Sequence, residues 1–294
     1  LYIVIGAGGF LGSHIVKNII SATDEGCIAV VRDKNSVTET DRAKSFVCDV
    51  TKKEDIKSLS LYIKGFKQIK CVYLAAYHNI DKVEENADLA YNVNVEALEN
   101  FLNAVNIESL FFSSTDAVYG EGGPDRRFKE TDELNPVNIY GEQKILAEKL
   151  TLEYGGHVLR LPLLMGKSLS LHKKHFYDTL EERLIFGQKT EMFTDFVRSA
   201  LDYGTTAGII AKLCETPRKN LPKILNIGGD RGLSKYDIGI RLCEKLGADK
   251  NLVIPAESDN SGVFSAKRAE YALLDNGLLK NVLDINEICF DIFT

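Results

Sequence analysis

No stretch of this 294-residue chain approaches the roughly 18–20 consecutive apolar residues that a membrane-spanning helix needs. No signal peptide precedes its first strand-like run, so neither a membrane partner nor secretion is expected. The chain opens on that strand at Leu1 without a methionine. A few upstream residues are therefore expected, and a leader stays open. There is no Cys-x-x-Cys pair, and the six cysteines (Cys27, Cys48, Cys71, Cys214, Cys243, Cys289) are scattered with no histidine at ligand spacing. That argues against a metal site. Several lie in apolar runs such as "IKCVYLAA", the setting of reduced, buried thiols in a cytoplasmic protein. Positive charge in bulk is missing too. The formal net charge is −6, and Lys52-Lys53 and Lys173-Lys174 are too short to follow a phosphate backbone. No nucleic-acid partner is expected. Internal repeats, low-complexity segments and flexible linkers are also absent.

What is present is an ordinary globular balance, 45% apolar and 27% charged. The length suits one large domain or a domain with a smaller companion. Through the first 160 or so residues, strand-like and helix-like runs alternate. "LYIVI" ends at Gly6, and "FLGSHIVKNIISAT" then carries apolar residues at helical spacing. "CIAVV" (27–31), "SFVC" (45–48), "CVYLAA" (71–76), "SLFFSS" (109–114) and "VLRLPLL" (158–164) read as further strands. One long helical pattern runs through Leu89, Val93, Leu98, Phe101, Leu102 and Val105. Strands apolar on both faces, alternating with helices, predict an α/β fold: a Rossmann-type, doubly wound parallel sheet. After Gly166 the alternation breaks. "ILNIGG" (224–229) reads as one more sheet strand, and "LSKYDIGIRLCEKLGA" as an amphipathic helix capped by Ser234. The expected organisation is a dinucleotide-binding domain over 1–166, with 196–230 returning to it, and a smaller substrate lobe from 167–195 and 231–294.

"GAGGFLG" (6–12) places Gly6, Gly9 and Gly12 between the first strand and the first helix. Gly6 and Gly9 permit a tight turn and close approach of a pyrophosphate. Gly12 lets the helix pack on the strand, and the helix N-terminus offers N–H donors. At the tip of the second strand, Arg32 and Lys34 are placed to flank a 2′-phosphate, which favours NADP. Asp33 would serve NAD if the strand ended one residue later. Asp49 is placed either to meet the adenine edge or to cap the helix before "TKKED".

In "NIYGEQK" (138–144), Tyr140 and Lys144 stand at i and i+4, so both project from one helix face. A buried ammonium there is expected to draw the phenol down toward working pH, for proton exchange at a carbinol while a nicotinamide exchanges hydride. "FFSSTDAVYG" (111–120) leaves a strand with hydroxyls at Ser113, Ser114 and Thr115, at the sheet edge where ligands bind in such folds. His78 follows another strand at that edge. His14 reads as packing or solvated. His172 and His175 sit in the segment expected to cover the substrate.

The glycine turn, post-strand hydroxyl and Tyr-x-x-x-Lys, in this order, resemble the extended short-chain dehydrogenase/reductases, which act mainly on nucleotide sugars. Within them the chain is most similar to the dTDP-4-dehydrorhamnose reductase family. The stretches that carry this likeness are "AAYHNIDKVEENADLAYNVNVEAL" (75–98), "STDAVY" (114–119), "PVNIYGEQKILAE" (136–148) and "RLPLLMG" (160–166), and more loosely "LSKYDIGIRLCEKLG" (233–247). The resemblance implies an NAD(P)-dependent reduction of a sugar keto group, at C4. It makes Tyr140 the proton donor, Thr115 the hydrogen-bond partner of the substrate oxygen, and Lys144 the residue that binds the nicotinamide ribose. It assigns Phe10, Leu11, Val50, Ala75, Ala76, Tyr77, Asn94, Ser113 and Leu163 to the cofactor, and His78 and Asp116 to the substrate. Arg160 is left between the nicotinamide pocket and a structural ion pair.

There are departures. The Asp-Glu pair of sugar-nucleotide dehydratases is Asp116-Ala117 here, so dehydration is not expected. The Arg-x-Pro-Thr pattern reads Arg198-Ser199-Ala200-Leu201, which detaches the choice of sugar nucleotide from the resemblance. A 4-epimerase that retains its cofactor, and a non-catalytic dinucleotide-binding regulatory protein, are the alternatives. The oligomeric state stays open, with a homodimer as one candidate because dimers are common in the superfamily.

Overall fold

Each apolar run of the first half is short, bounded by turn residues and followed by a helix that can cover it. The computed structural model describes residues 1–37, 39–169, 173–258 and 264–291. It runs β1 (Tyr2–Ile5), α1 (Phe10–Ala22), β2 (Cys27–Val31), β3 (Ala43–Val47), α2 (Lys53–Ile63), β4 (Lys70–Tyr73), α3 (Ile80–Glu85), α4 (Ala87–Tyr91), α5 (Ala97–Ala104) and β5 (Ser109–Thr115). Next come β6 (Arg127–Phe128), α6 (Ile139–Glu153), β7 (His157–Leu161), β8 (Leu164–Met165), α7 (Phe176–Ile185), β9 (Thr190–Phe193), β10 (Val197–Arg198) and β11 (Leu201–Asp202). The chain closes with α8 (Tyr203–Glu215), β12 (Ile224–Asn226), α9 (Lys235–Leu246), β13 (Val253–Ala256), β14 (Tyr271–Leu274) and α10 (Gly277–Leu283).

Seven strands pair in the order β12-β7-β5-β4-β1-β2-β3, every pair parallel. Because side chains alternate along a strand, β1 sends Tyr2 and Val4 to one face and Ile3 and Ile5 to the other. The first face packs with Ile15, Ile19, Phe111 and Leu159. The second packs with Leu59, Phe101 and Phe112. This is the doubly wound parallel α/β fold that the alternation of runs predicts. The chain order reverses beside β1, so the carboxyl ends of β1 and β4 open a crevice.

The long helical pattern of residues 80–105 is broken in the structure. α3 ends at Asn86, and a π-helical turn at Asn92–Glu96 separates α4 from α5. The cause is Asn94, whose buried side chain holds the backbone of Tyr77 instead of facing solvent. Insertions of this kind concentrate where a side chain must be re-aimed.

A third apolar cluster joins α7, α9, β9 and β13 through Tyr177, Leu180, Met192, Ile238 and Leu242. α9 starts where the sequence signals it. Ser234 Oγ accepts the N–H of Asp237 at 3.1 Å, and Asp237 Oδ2 in turn accepts the N–H of Ser234 at 2.8 Å. β10, β14 and β6 pair, in that order and in parallel, in a separate small sheet. Among the described residues no helix is long and apolar enough to cross a membrane.

Candidate active site

The turn from β1 into α1 is built on glycine for steric reasons. Gly6 has φ +86, and a Cβ there would lie 3.1 Å from Ala75 N. A Cβ on Gly12 would lie 2.4 Å from Gly6 O, so only glycine lets α1 approach the turn this closely. Gly9 is the N-cap and offers no side-chain acceptor, which leaves the first N–H groups of α1 directed at the crevice. This cradle fits the pyrophosphate of a dinucleotide.

Across the crevice, α6 begins at Ile139 because Asn138 caps it, its Oδ1 accepting the N–H of Gly141 at 2.9 Å. The same asparagine donates through Nδ2 to Lys267 O at 3.0 Å. The first turn of α6 packs onto the chain leaving β5, where Ala117 faces Gly141. Tyr140 and Lys144 thus line a cavity of about 560 Å³ that reaches back to the glycine turn. Lys144 is only 2% exposed. Its Nζ donates to the Ser113 carbonyl and lies 4.0 Å from the centroid of the Phe112 ring. Burial lowers this ammonium from 10.5 to about 7, against an opposing pull from Glu148. The Tyr140 phenol departs from expectation. Burial first, and then the negative charge of Asp116, raise it above its ordinary value. The expected depression by Lys144 is not seen, and the Lys144 ammonium donates instead to the Ser113 carbonyl.

At the end of β5, Thr115 Oγ1 accepts the N–H of Ala117 at 3.2 Å and contacts Asp116 Oδ1 at 3.2 Å. Asp116 is buried, and burial raises its carboxyl while Arg198 opposes the shift. Its Oδ2 lies 3.4 Å from Arg198 Nε and accepts no hydrogen bond among the described residues.

Of the residues expected to touch cofactor, Gly6, Gly9, Phe10, Leu11 and Gly12 line the cavity, with Ala76, Ser113 and Leu163 further along. Of the catalytic and substrate set, Thr115, Tyr140, Lys144, His78 and Asp116 line it. The others lie elsewhere. Ala75 presents its backbone to Gly6. Asn94 accepts from Tyr77 N at 2.7 Å and donates to Tyr77 O at 3.1 Å and Gln143 Oε1 at 2.9 Å, fixing the chain beyond β4. Asp49 accepts from Thr51 N at 3.1 Å and Thr51 Oγ1 at 2.8 Å, a turn-closing arrangement that holds its carboxyl low. Val50 packs in the core. Arg32 and Lys34 are exposed just past β2, while Asp33 is engaged by Asn35 N at 3.0 Å.

His175 lines the cavity, its Nδ1 accepting Tyr177 N at 3.1 Å and its ring edge-on to Phe10 at 4.8 Å. His172 lies outside the described residues. His14 is a packing residue against Tyr203, bonded to Lys167 O at 2.9 Å. Arg160 is a structural ion pair. It is 2% exposed and holds Glu148 through Nε at 3.0 Å and Nη2 at 2.7 Å. Five of the six cysteines are buried and all are free. Sequence reasoning missed the far wall of the cavity, formed by Phe196, Arg198, Lys235, Phe264 and Arg268. These come from separate segments with no shared motif. Two had a local signal: Arg198 as the arginine of the altered Arg-x-Pro-Thr stretch, and Lys235 in its place beside the capping Ser234.

Fold and motifs together define the class: an extended short-chain dehydrogenase/reductase. More particularly, the chain belongs to the RmlD substrate binding domain family, whose model matches residues 2–290. It is similar to the dTDP-4-dehydrorhamnose reductase of Mycolicibacterium smegmatis, with 25% identity over 278 residues, 93% of this chain and 77% of that protein. It is also similar to methionine adenosyltransferase 2 subunit beta of Danio rerio, with 24% identity over 285 residues, 93% of this chain and 82% of that one. A solved dTDP-4-dehydrorhamnose reductase from Bacillus anthracis, in complex with NADP, shares the fold with a TM-score of 0.76. It covers 95% of this chain and 92% of its own at 21% identity.

Proposed function

We propose that this chain is an NADP-dependent oxidoreductase that reduces a keto group, at C4, of a nucleotide-activated sugar. The observation that carries the reading is the convergence of Thr115, Tyr140 and Lys144 on one cavity continuous with the glycine turn. The reductases among its relatives support the substrate class. Exposed Arg32 and Lys34 past β2 support NADP over NAD, since two cations flank the strand end where a 2′-phosphate would lie. NADPH, when bound, supplies hydride to the carbonyl carbon. Tyr140 gives its proton to the oxygen that develops negative charge, and Thr115 Oγ1 donates a hydrogen bond to that same oxygen. A phenol held high in pKa is protonated at neutral pH and so is in the right form to act as acid. Lys144, near 7, can return a proton to it.

The test is NADPH oxidation by the purified protein with dTDP-4-dehydrorhamnose. Tyr140→Phe should lower turnover by about 10²–10⁴-fold and leave NADPH affinity unchanged. Wild-type turnover in that variant would remove Tyr140 from the mechanism. Stoichiometric NADPH consumption separates reduction from epimerisation with a retained cofactor. The likeness to a protein named as a subunit favours a second reading, a non-catalytic dinucleotide-binding subunit. Wild-type protein that binds NADPH and reduces no sugar nucleotide would favour that reading.

A further inference from the structure

Asn138 is 6% exposed, and the two ends of its side-chain amide are committed to different parts of the fold. Oδ1 accepts the N–H of Gly141 at 2.9 Å and so caps α6 at the turn that carries Tyr140. Nδ2 donates to Lys267 O at 3.0 Å. One partner is an N–H and the other a carbonyl, so the amide can point only one way. Lys267 belongs to the stretch 264–269, whose Phe264, Arg268 and Ala269 line the same cavity as Tyr140. α3 supports both sides of this arrangement. Asp81 accepts from Ser265 N at 2.9 Å, from Ala266 N at 3.0 Å and from Arg268 at 3.0 and 2.6 Å. Glu84, one turn along α3, accepts the N–H of Ile139 at 3.4 Å, at the head of α6. A cap by itself does not call for asparagine, since Asp and Ser serve as well. An ionised aspartate has no donor for Lys267 O, however, and serine has a single polar atom, which the cap occupies.

We propose that Asn138 is a positioning residue that holds the proton donor and the 264–269 wall in register. One end of its amide aims Tyr140, and the other fixes the wall of the cavity that Tyr140 serves. A substrate lodged against that wall meets the phenol at a set separation, and a misplacement of about 1 Å costs as much as 10²-fold in rate. The proposal rests on the reading of Tyr140 as the acid of a sugar-nucleotide reductase. Its test is hydrogen–deuterium exchange of the full chain with NADPH, read over residues 139–145 and 264–270, beside steady-state kinetics with dTDP-4-dehydrorhamnose. Asn138→Asp and Asn138→Ser keep an acceptor for the Gly141 N–H and lose the donor to Lys267 O. At about pH 8 the introduced carboxyl is ionised and cannot donate. Both variants should speed exchange over 264–270 at least about fivefold and leave 139–145 at the wild-type rate. In both, KM should rise by a larger factor than kcat falls. Asn138→Ala removes cap and donor together, so exchange should speed up in both stretches and kcat should fall further. Wild-type exchange over 264–270 in folded Asn138→Asp and Asn138→Ser proteins would overturn the proposal. So would a kcat loss with no rise in KM, or equal acceleration of both stretches in all three variants, which would leave Asn138 a cap and nothing more. Exchange is read without turnover, so the two proposals fail separately. A wild type that reduces no sugar nucleotide loses the reductase reading, while the link between cap and wall is still decided by exchange.

Discussion

Lys144 holds a cation in the wall of the cavity at 2% exposure. Its ammonium is lowered to about 7 in the folded protein, while an unfolded chain holds it near 10.5. Between those values the unfolded state binds the extra proton, so this group makes stability rise with pH across that window. Below about 7 both states are charged and the burial penalty is present in full. Lys144→Met should therefore stabilise the protein most at and below neutral pH. Its advantage should shrink toward pH 10, read by denaturant melts at several pH values. A pH-independent difference would mean that the ammonium is not desolvated. The spacing of Tyr140 and Lys144 was legible in "NIYGEQK". The direction of the phenol's shift was not, because it depends on burial and on Asp116, a neighbour only in space.

Among the elements, α6 shows how a helix is aimed. Asn138 sets its start, and Gly141 sets how closely its first turn approaches the end of β5. Alanine at a helical glycine usually stabilises by about 1 kcal/mol. At Gly141, however, a Cβ would fall 2.7 Å from Ala117 O and 2.7 Å from Pro136 Cβ. Overpacking of that kind costs about 1–3 kcal/mol, which outweighs the propensity gain. Gly141→Ala should lower the melting temperature and depress NADPH-dependent turnover, since it shifts Tyr140 relative to Thr115. A more stable, fully active variant would show that the contact relaxes freely. Element type was readable wherever the apolar period was long, as in α1 and α9. It failed at residues 80–105, where a single buried Asn94 breaks the helix to hold Tyr77, and nothing in the spacing of Leu and Val reports that.

Taken whole, the molecule is tied together by contacts far apart in sequence. Arg268 binds Asp81 across 187 residues, joining the C-terminal segment to α3 beside the sheet. Arg127 reaches Asp230 O at 2.6 Å and Leu274 O at 3.2 Å. The Asp81 carboxyl is held well below its usual range, first by Arg268. A group lowered in this way stabilises the fold above its unfolded value of about 4, and that contribution is lost as pH falls further. Asp81→Asn should cost no more than about 1 kcal/mol at neutral pH, because the pair is partly exposed. It should also flatten the acid side of the stability profile below about pH 4. An unaltered acid limb would remove Asp81 from the tether.

By itself the sequence determined the parallel sheet, the glycine turn and the one-helix pairing of Tyr140 with Lys144. These depend on period, steric demand and short spacing, which are local. Only the tertiary structure decided that Thr115 shares their cavity, that Arg160 is committed to Glu148, and that Lys235 lines the same cavity with no carboxylate paired to it among the described residues. Each of those depends on which distant side chains meet and how much water is excluded when they do, and burial and pairing set charge and reactivity in ways that no local pattern records.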